Sequence, residues 1–150
     1  MATNIDGKAF AAKIRSQLKE DADNLIAKKQ IDPCLAVVLV GENPASKVYV
    51  GAKTKMAAQS KIKTKDYKLD EDTDQETLLK LIKMLNEDTD IHGILVQLPL
   101  PKQIDERSVI DAIAVEKDVD GFHAINAGRL SIGGDMLKKD FIPCTPLGSL

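Results

Sequence analysis

The chain has 150 residues, 43% of them hydrophobic and 29% charged, with a net charge of −2, the balance expected of one globular domain with a core. So small a charge gives a polyanion little to hold, and with no Trp, two Tyr and three Phe stacking platforms are scarce, so no nucleic-acid partner is expected. The opening MATNIDGKAF lacks an apolar signal core and no stretch approaches the roughly 20 apolar residues of a membrane span, so the expectation is a cytoplasmic protein with no membrane partner.

Residues 7 to 29 place Phe10, Ile14, Leu18, Leu25 and Ile26 among long charged side chains, the spacing of an amphipathic helix capped by Asp6. CLAVVLVG follows, apolar at every position, as in a strand buried on both faces of a parallel sheet. Cys34 opens this run and reads as a small packed hydrophobe. It lacks CxxC spacing with Cys144, which argues against zinc; a disulfide stays open but unneeded.

Asn43-Pro44 starts a helix that continues to about Ser60, since Asn caps and Pro is tolerated at the first position. IKTKDYKL (62–69) is charged and partly alternating, the pattern of an edge strand. Residues 74 to 87 form the clearest amphipathic helix, and HGILVQLPLP reads as a second buried strand stopped by two prolines. Trans is the expected state of both X-Pro bonds there. A further helix spans about 105 to 114. The order predicts an α/β fold, an open, mostly parallel sheet with helices on both faces, with ligands at the carboxyl edge of the strands. From Glu116 the chain turns irregular and rich in Gly, Asp and Pro, a loop-rich end of the kind that often carries function.

Three clusters can carry chemistry. Ser46, Tyr49, Val50 and Lys53 share one helix face. A partly desolvated lysine there can serve as acid or base; the competing reading is a solvated face, with Lys47, Lys55 and Lys61 nearby. Gln97 lies inside an apolar run, so its amide must be satisfied by a ligand, by Lys53 or by the backbone. Asp118-Val119-Asp120-Gly121 offers paired carboxylates for a turn, for acid–base work or for gripping an amidine-like edge; a turn comes first and a metal last. His92 and His123 have no diagnostic partners and read as structural or surface residues. Neither GxGxxG nor GxxxxGK[ST] occurs.

Taken together, VGENPASKVYVGAKTK, GILVQLPLP, EKDVDGFHAINAGRL and FIPCTPLG, in this order across residues 40 to 148, resemble the bifunctional methylenetetrahydrofolate dehydrogenase/methenyltetrahydrofolate cyclohydrolase family. The resemblance implies a three-layer catalytic domain over residues 1–150 that binds a tetrahydrofolate derivative. It implies that Tyr49 packs on the folate ring, Lys53 assists ring opening and hydration, and Gln97 tunes that lysine. It further implies that Asp120 anchors the pterin edge, with Ser46 beside the lysine and Pro99 and Pro143 to Pro146 shaping the cleft. The implied chemistry oxidises 5,10-methylenetetrahydrofolate with NADP or NAD, then hydrolyses the methenyl product to 10-formyltetrahydrofolate, work belonging to purine biosynthesis and one-carbon metabolism. One departure is QSKIKTKDYKL, where a Gly-Ile usually precedes the strand.

Family members run to about twice this length, with a Rossmann domain after the PCTP segment. The chain is therefore expected to be the folate half of a homodimeric enzyme, without a cofactor site or dehydrogenase activity of its own. The competing expectations are a non-catalytic folate-binding or interaction module and an unrelated nucleotide-binding protein of flavodoxin type. The last would need a phosphate loop or acidic cluster that GENPAS does not supply.

Overall fold

A computed structural model of the chain describes residues 6–133, 141–144 and 147. Its elements are α1 (Gly7–Lys29), β1 (Cys34–Val40), α2 (Pro44–Gln59), β2 (Lys63–Leu69), α3 (Gln75–Glu87), β3 (Gly93–Val96), α4 (Glu106–Ala112), a 3-10 turn at Val115–Lys117, and α5 (Ala124–Ile132). Each α-helix starts at a side chain that accepts a backbone N–H otherwise left over in the first turn. Asp6 takes Ala9 N–H, Asn43 takes Ser46, Asp74 takes Thr77, Asp105 takes Ser108 and His123 takes Ile125.

The three strands lie in the order β2-β1-β3, all parallel, so the apolar β1 is the central strand. Side chains alternate across a strand. Cys34, Ala36, Val38 and Val40 therefore face Leu78, Ile82 and Leu85 of α3 and Val109 of α4. Val37 and Leu39 face Val50 of α2 on the other side, together with Leu95. Helices cover both faces, giving the expected three layers. β2 is an edge strand, as its charge predicted.

The HGILVQLPLP strand is shorter than its apolar run. β3 ends at Val96, opposite Val38, although Gln97 N–H still donates to Val38 O at 2.8 Å. The Leu98–Pro99 bond is cis, against the trans expectation. The end of the described chain is also less irregular than its composition implies, because α5 occupies Ala124–Ile132. Gly128 and Ser131 are weak helix formers and hide it in the sequence; tertiary contacts to Asn126 and the His123 cap form it nonetheless. In α1 the expected stripe is only partly covered among the described residues: Ala22 is buried and Leu25 and Ile26 half-buried, whereas Phe10 is 65% exposed and Ile14 and Leu18 lie open beside it.

Past the 3-10 turn the chain runs alongside β3, where Asp118 makes an isolated parallel bridge with Ile94. This approach depends on Gly93. A Cβ there would lie 2.5 Å from Val119 Cγ1 and 3.3 Å from Leu35 Cδ1. Gly93→Ala should lower stability by about 1–3 kcal/mol through overpacking, read as a lower urea midpoint with an unchanged slope; an unchanged midpoint would show that the approach is not tight.

Candidate active site

The carboxyl edge of the sheet opens into a cavity of about 570 Å³ lined by Tyr49, Lys53, Gln97, Leu98, Asp120, Phe122, Pro143 and Cys144. The helix period explains the contribution of α2. Val50 points into the sheet, so Lys53, three residues on, stays half-buried at its margin. Tyr49 stands on the rim, 62% exposed. Strand alternation explains Gln97, which follows Leu95 by two residues and so shares its α2-facing side.

Lys53 and Gln97 meet there. Lys53 Nζ donates to Gln97 Oε1 at 3.2 Å, while Gln97 Nε2 donates to Leu98 O at 2.7 Å. The second bond fixes which end of the amide faces the lysine, so the oxygen is held as an acceptor. An ammonium has three N–H donors, and the cavity lies open to those that the amide does not use.

The two aspartates of the DVDG segment have separate placements. Asp118 is buried and accepts backbone N–H bonds from Gly121 at 3.1 Å and His123 at 2.9 Å, the bonds of a turn. Asp120 is half-buried and faces the cavity. Burial pushes its carboxyl above the ordinary value; the Lys53 ammonium opposes this and the Asp118 carboxylate adds to it. Gly121 takes φ +69°, and a Cβ on it would meet Phe141 O at 2.5 Å and Pro143 Cδ at 3.1 Å. The bare α-carbon lets the 141–144 strap close one side of the cavity.

Ser46 is buried in the first turn of α2 and Pro99 lines a smaller cleft with Val40, Gly41 and Glu71; neither is among the residues lining the cavity. Of the PCTP segment, Pro143 and Cys144 line the cavity, while Thr145 and Pro146 lie outside the described residues. Leu98 and Phe122 were not singled out by sequence reasoning. The available signal was the scarcity of aromatics, which makes a phenylalanine two residues beyond Asp120 conspicuous. His123 is a buried helix cap, and His92 Nδ1 accepts Cys34 N–H at 3.2 Å; both placements are structural.

A second cavity, of about 390 Å³, opens at the amino end of the strands beside Cys34, Lys63, Lys65 and His92. Its lysines are already paired, Lys63 with Asp32 at 2.7 Å and Lys65 with Asp88 at 3.3 Å, and burial pushes the Cys34 thiol up, away from its reactive form. Among the described residues no cluster of three or more His, Cys, Asp or Glu is arranged for a metal. The carboxyl-edge cavity is the one with chemistry to offer: an oriented cation, a carboxylate 67 positions further along the chain from Lys53, and aromatic surfaces.

The family profile described as "Tetrahydrofolate dehydrogenase/cyclohydrolase, catalytic domain" matches residues 5–120. The chain is 54% identical over 149 residues to bifunctional protein FolD 1 of Roseobacter denitrificans, covering 99% of this chain and 48% of that protein. It superposes on the crystal structure of the bifunctional FolD methylenetetrahydrofolate dehydrogenase/cyclohydrolase of Campylobacter jejuni with a TM-score of 0.91 at 50% identity, over 96% of this chain and 50% of the other. The Trypanosoma brucei FolD structure, described in complex with NADP cofactor and inhibitor, gives 0.87 at 34% identity, over 96% and 48%. The chain thus spans about half the length of the curated relatives it matches.

Because folded Asp120 holds its proton to higher pH than the unfolded chain does, folding loses stability as pH rises from the ordinary carboxylate value to the raised one. Asp120→Asn removes that charge. Its melting temperature at neutral pH should exceed the parent's, and the difference should vanish on acidification below the ordinary range; calorimetry across pH would detect the opposite sign at once.

Proposed function

The chain belongs to the tetrahydrofolate dehydrogenase/cyclohydrolase family, and on that premise we propose that its carboxyl-edge cavity binds the reduced folate on which the whole enzyme acts. The reaction sequence is oxidation of 5,10-methylenetetrahydrofolate to the methenyl cation, then hydrolysis to 10-formyltetrahydrofolate. The single observation that carries this reading is the Lys53–Gln97 bond at the wall of a cavity that also presents Asp120 and Tyr49. A solvated lysine face would need neither an oriented amide partner nor a cavity.

In this proposal Asp120 accepts two parallel N–H bonds from the 2-amino-pterin edge, and Tyr49 and Phe122 offer apolar faces to the ring system. Those contacts hold the one-carbon bridge near Lys53 Nζ. Hydrolysis needs proton movements: water adding to the cationic carbon sheds one proton, the hydroxyl so formed loses its own as the formyl C=O forms, and the departing ring nitrogen gains one, so that one proton is released overall. A group at Nζ can take a proton from oxygen and pass one to nitrogen, and general acid–base help of this kind is worth ~10²–10⁴ in rate. Gln97 acts through the lysine, holding Nζ in place and leaving its remaining hydrogens toward the folate.

Nicotinamide supplies the hydride acceptor of the first step; NADP is the cofactor described with the T. brucei protein. The turn after β1 does not suit a dinucleotide pyrophosphate, since no glycine fingerprint follows the strand and Asn43 already accepts Ser46 N–H. The chemistry assigned to these residues is therefore that of the folate alone. The homodimeric state expected from the resemblance and the cytoplasmic residence expected from the opening residues belong to the same proposal; no helix among the described residues is long and apolar enough to cross a membrane.

Two measurements test the reading. Titration with 5-formyltetrahydrofolate should show Asp120→Ala binding about 10–100-fold more weakly, the worth of about 1.5–3 kcal/mol for hydrogen bonds to a charge. Parental affinity in that variant would remove the pterin-anchor assignment. Hydrolysis of 5,10-methenyltetrahydrofolate should fall ~10²–10⁴-fold in Lys53→Met with binding changed only a few-fold. A parent chain that binds folate but hydrolyses nothing would favour the non-catalytic binding module instead. Since the carboxylate form of Asp120 is the acceptor, parental affinity should fall on acidification with a midpoint above the ordinary ~3.9, and Asp120→Asn should lack that transition.

A further inference from the structure

Five side chains of the 118–126 segment have two kinds of placement. Asp120 and Phe122 face the cavity, whereas Asp118, His123 and Asn126 are buried, Asp118 at 2% and Asn126 at 1% exposure. Three N–H groups from this one segment converge on the Asp118 carboxylate. Gly121 N–H donates to Oδ1 at 3.1 Å; His123 N–H and Asn126 Nδ2 donate to Oδ2, each at 2.9 Å. Asn126 Nδ2 also donates to Val115 O at 3.1 Å, which ties α5 back to the turn before the segment. His123 in turn caps α5 by accepting Ile125 N–H at 3.1 Å.

The two residues whose backbone amides Asp118 grips, Gly121 and His123, each directly follow a cavity residue. Gripping them fixes the backbone on either side of Phe122 and just beyond Asp120. The isolated bridge to Ile94 fixes the other end of the segment against β3.

We propose that Asp118 is the positioning residue of the folate cavity: its buried carboxylate gathers Gly121, His123 and Asn126, and so sets the places of Asp120 and Phe122 on the cavity wall. This rests on the folate-site reading above and goes beyond it, because Asp118 is buried and does not line that cavity. It separates the two aspartates by task, one shaping the loop and one meeting the substrate. Three converging donors demand acceptors that Asn cannot fully replace, since an amide puts an NH₂ group where one carboxylate oxygen stood. An electrostatic consequence accompanies the geometric one. The charged groups acting on Asp120 are Lys53 from α2 and Asp118 from its own segment; neutralising Asp118 removes the like-charge repulsion and lowers the pH at which Asp120 ionises.

The test compares Asp118→Asn, Asn126→Ala and Asp120→Ala in the chain 1–150, reading 5-formyltetrahydrofolate affinity across pH alongside thermal melting. The expected result is at least tenfold weaker binding in Asp118→Asn at neutral pH, with a cooperative melt retained and the acid midpoint of binding moved down. A purely structural role would lower the melting temperature while the folded fraction kept parental affinity, and that outcome overturns the proposal. Should Asp118→Asn fail to fold, Asn126→Ala decides: it keeps the carboxylate and both backbone donors, and binding three- to tenfold weaker is expected, while parental affinity overturns the proposal. Weakened binding in Asp120→Ala with parental binding in Asp118→Asn defeats the positioning role alone. Unchanged binding in Asp120→Ala defeats the site reading on which it stands.

Discussion

At Gly93 a single methyl group would collide with Val119, and the absence of that methyl is the condition for everything at the carboxyl edge. The segment from Asp118 can lie against β3 only because the strand begins with a bare α-carbon. Its bridge to Ile94 then carries Asp120 up beside the end of β3, where Gln97 emerges. Gly121 repeats the device one layer further out: its positive φ and missing side chain admit Phe141 and Pro143 as the next wall. The cavity is thus assembled around two close contacts, the Val119 side chain on Gly93 and the Phe141 backbone on Gly121, with the apolar centre of β1 beneath them.

The electrostatics follow from that assembly. Moving Asp120 inward desolvates it, which raises its carboxyl, and the same movement brings it within reach of Lys53, which partly compensates. An apo cavity that keeps a carboxylate partly out of water is less stable than one without it, yet that carboxylate is the group able to recognise a donor-rich heterocycle. Binding sites commonly hold such tension between stability and function. Here the buried Asp118 carries the structural load, satisfied by three N–H donors, and frees Asp120 from having to.

The features legible in the sequence were those governed by local rules. The run of apolar residues in β1, the periodicity of α3 and the cap at Asn43 depend on neighbours within a few positions, and each element stands where its pattern put it. The Tyr49–Lys53 spacing was legible for the same reason. Illegible features were those decided by distant contacts. α5 contains Gly128 and Ser131 and gains its start from His123 and its hold from Asn126, neither of which announces a helix. By residue type and spacing the two aspartates look equivalent, and only the resemblance singles out Asp120; the burial of Asp118 beside Asn126 gives the difference a structural basis. Ser46 shares a helix face with Lys53, yet it sits nearer the sheet and is buried, so a shared face does not guarantee a shared cavity.

The cavity draws its polar and apolar groups from parts of the fold with different rigidity. Lys53 and Gln97 come from a helix and the end of a strand, held by core packing and by a backbone bond from Gln97 N–H to Val38. Phe122, Pro143 and Cys144 come from loop and strap, held by the approach to Gly121. Proton transfer tolerates little misplacement, because its rate depends on hydrogen-bond reach, whereas an apolar slot for a ring accepts small adjustments. Asp120 stands at the join, on a loop yet braced from beneath by Asp118. In the proposed folate site that bracing is what lets a loop carboxylate serve as anchor, since the far end of the bound ring has to arrive at Lys53 on the helix.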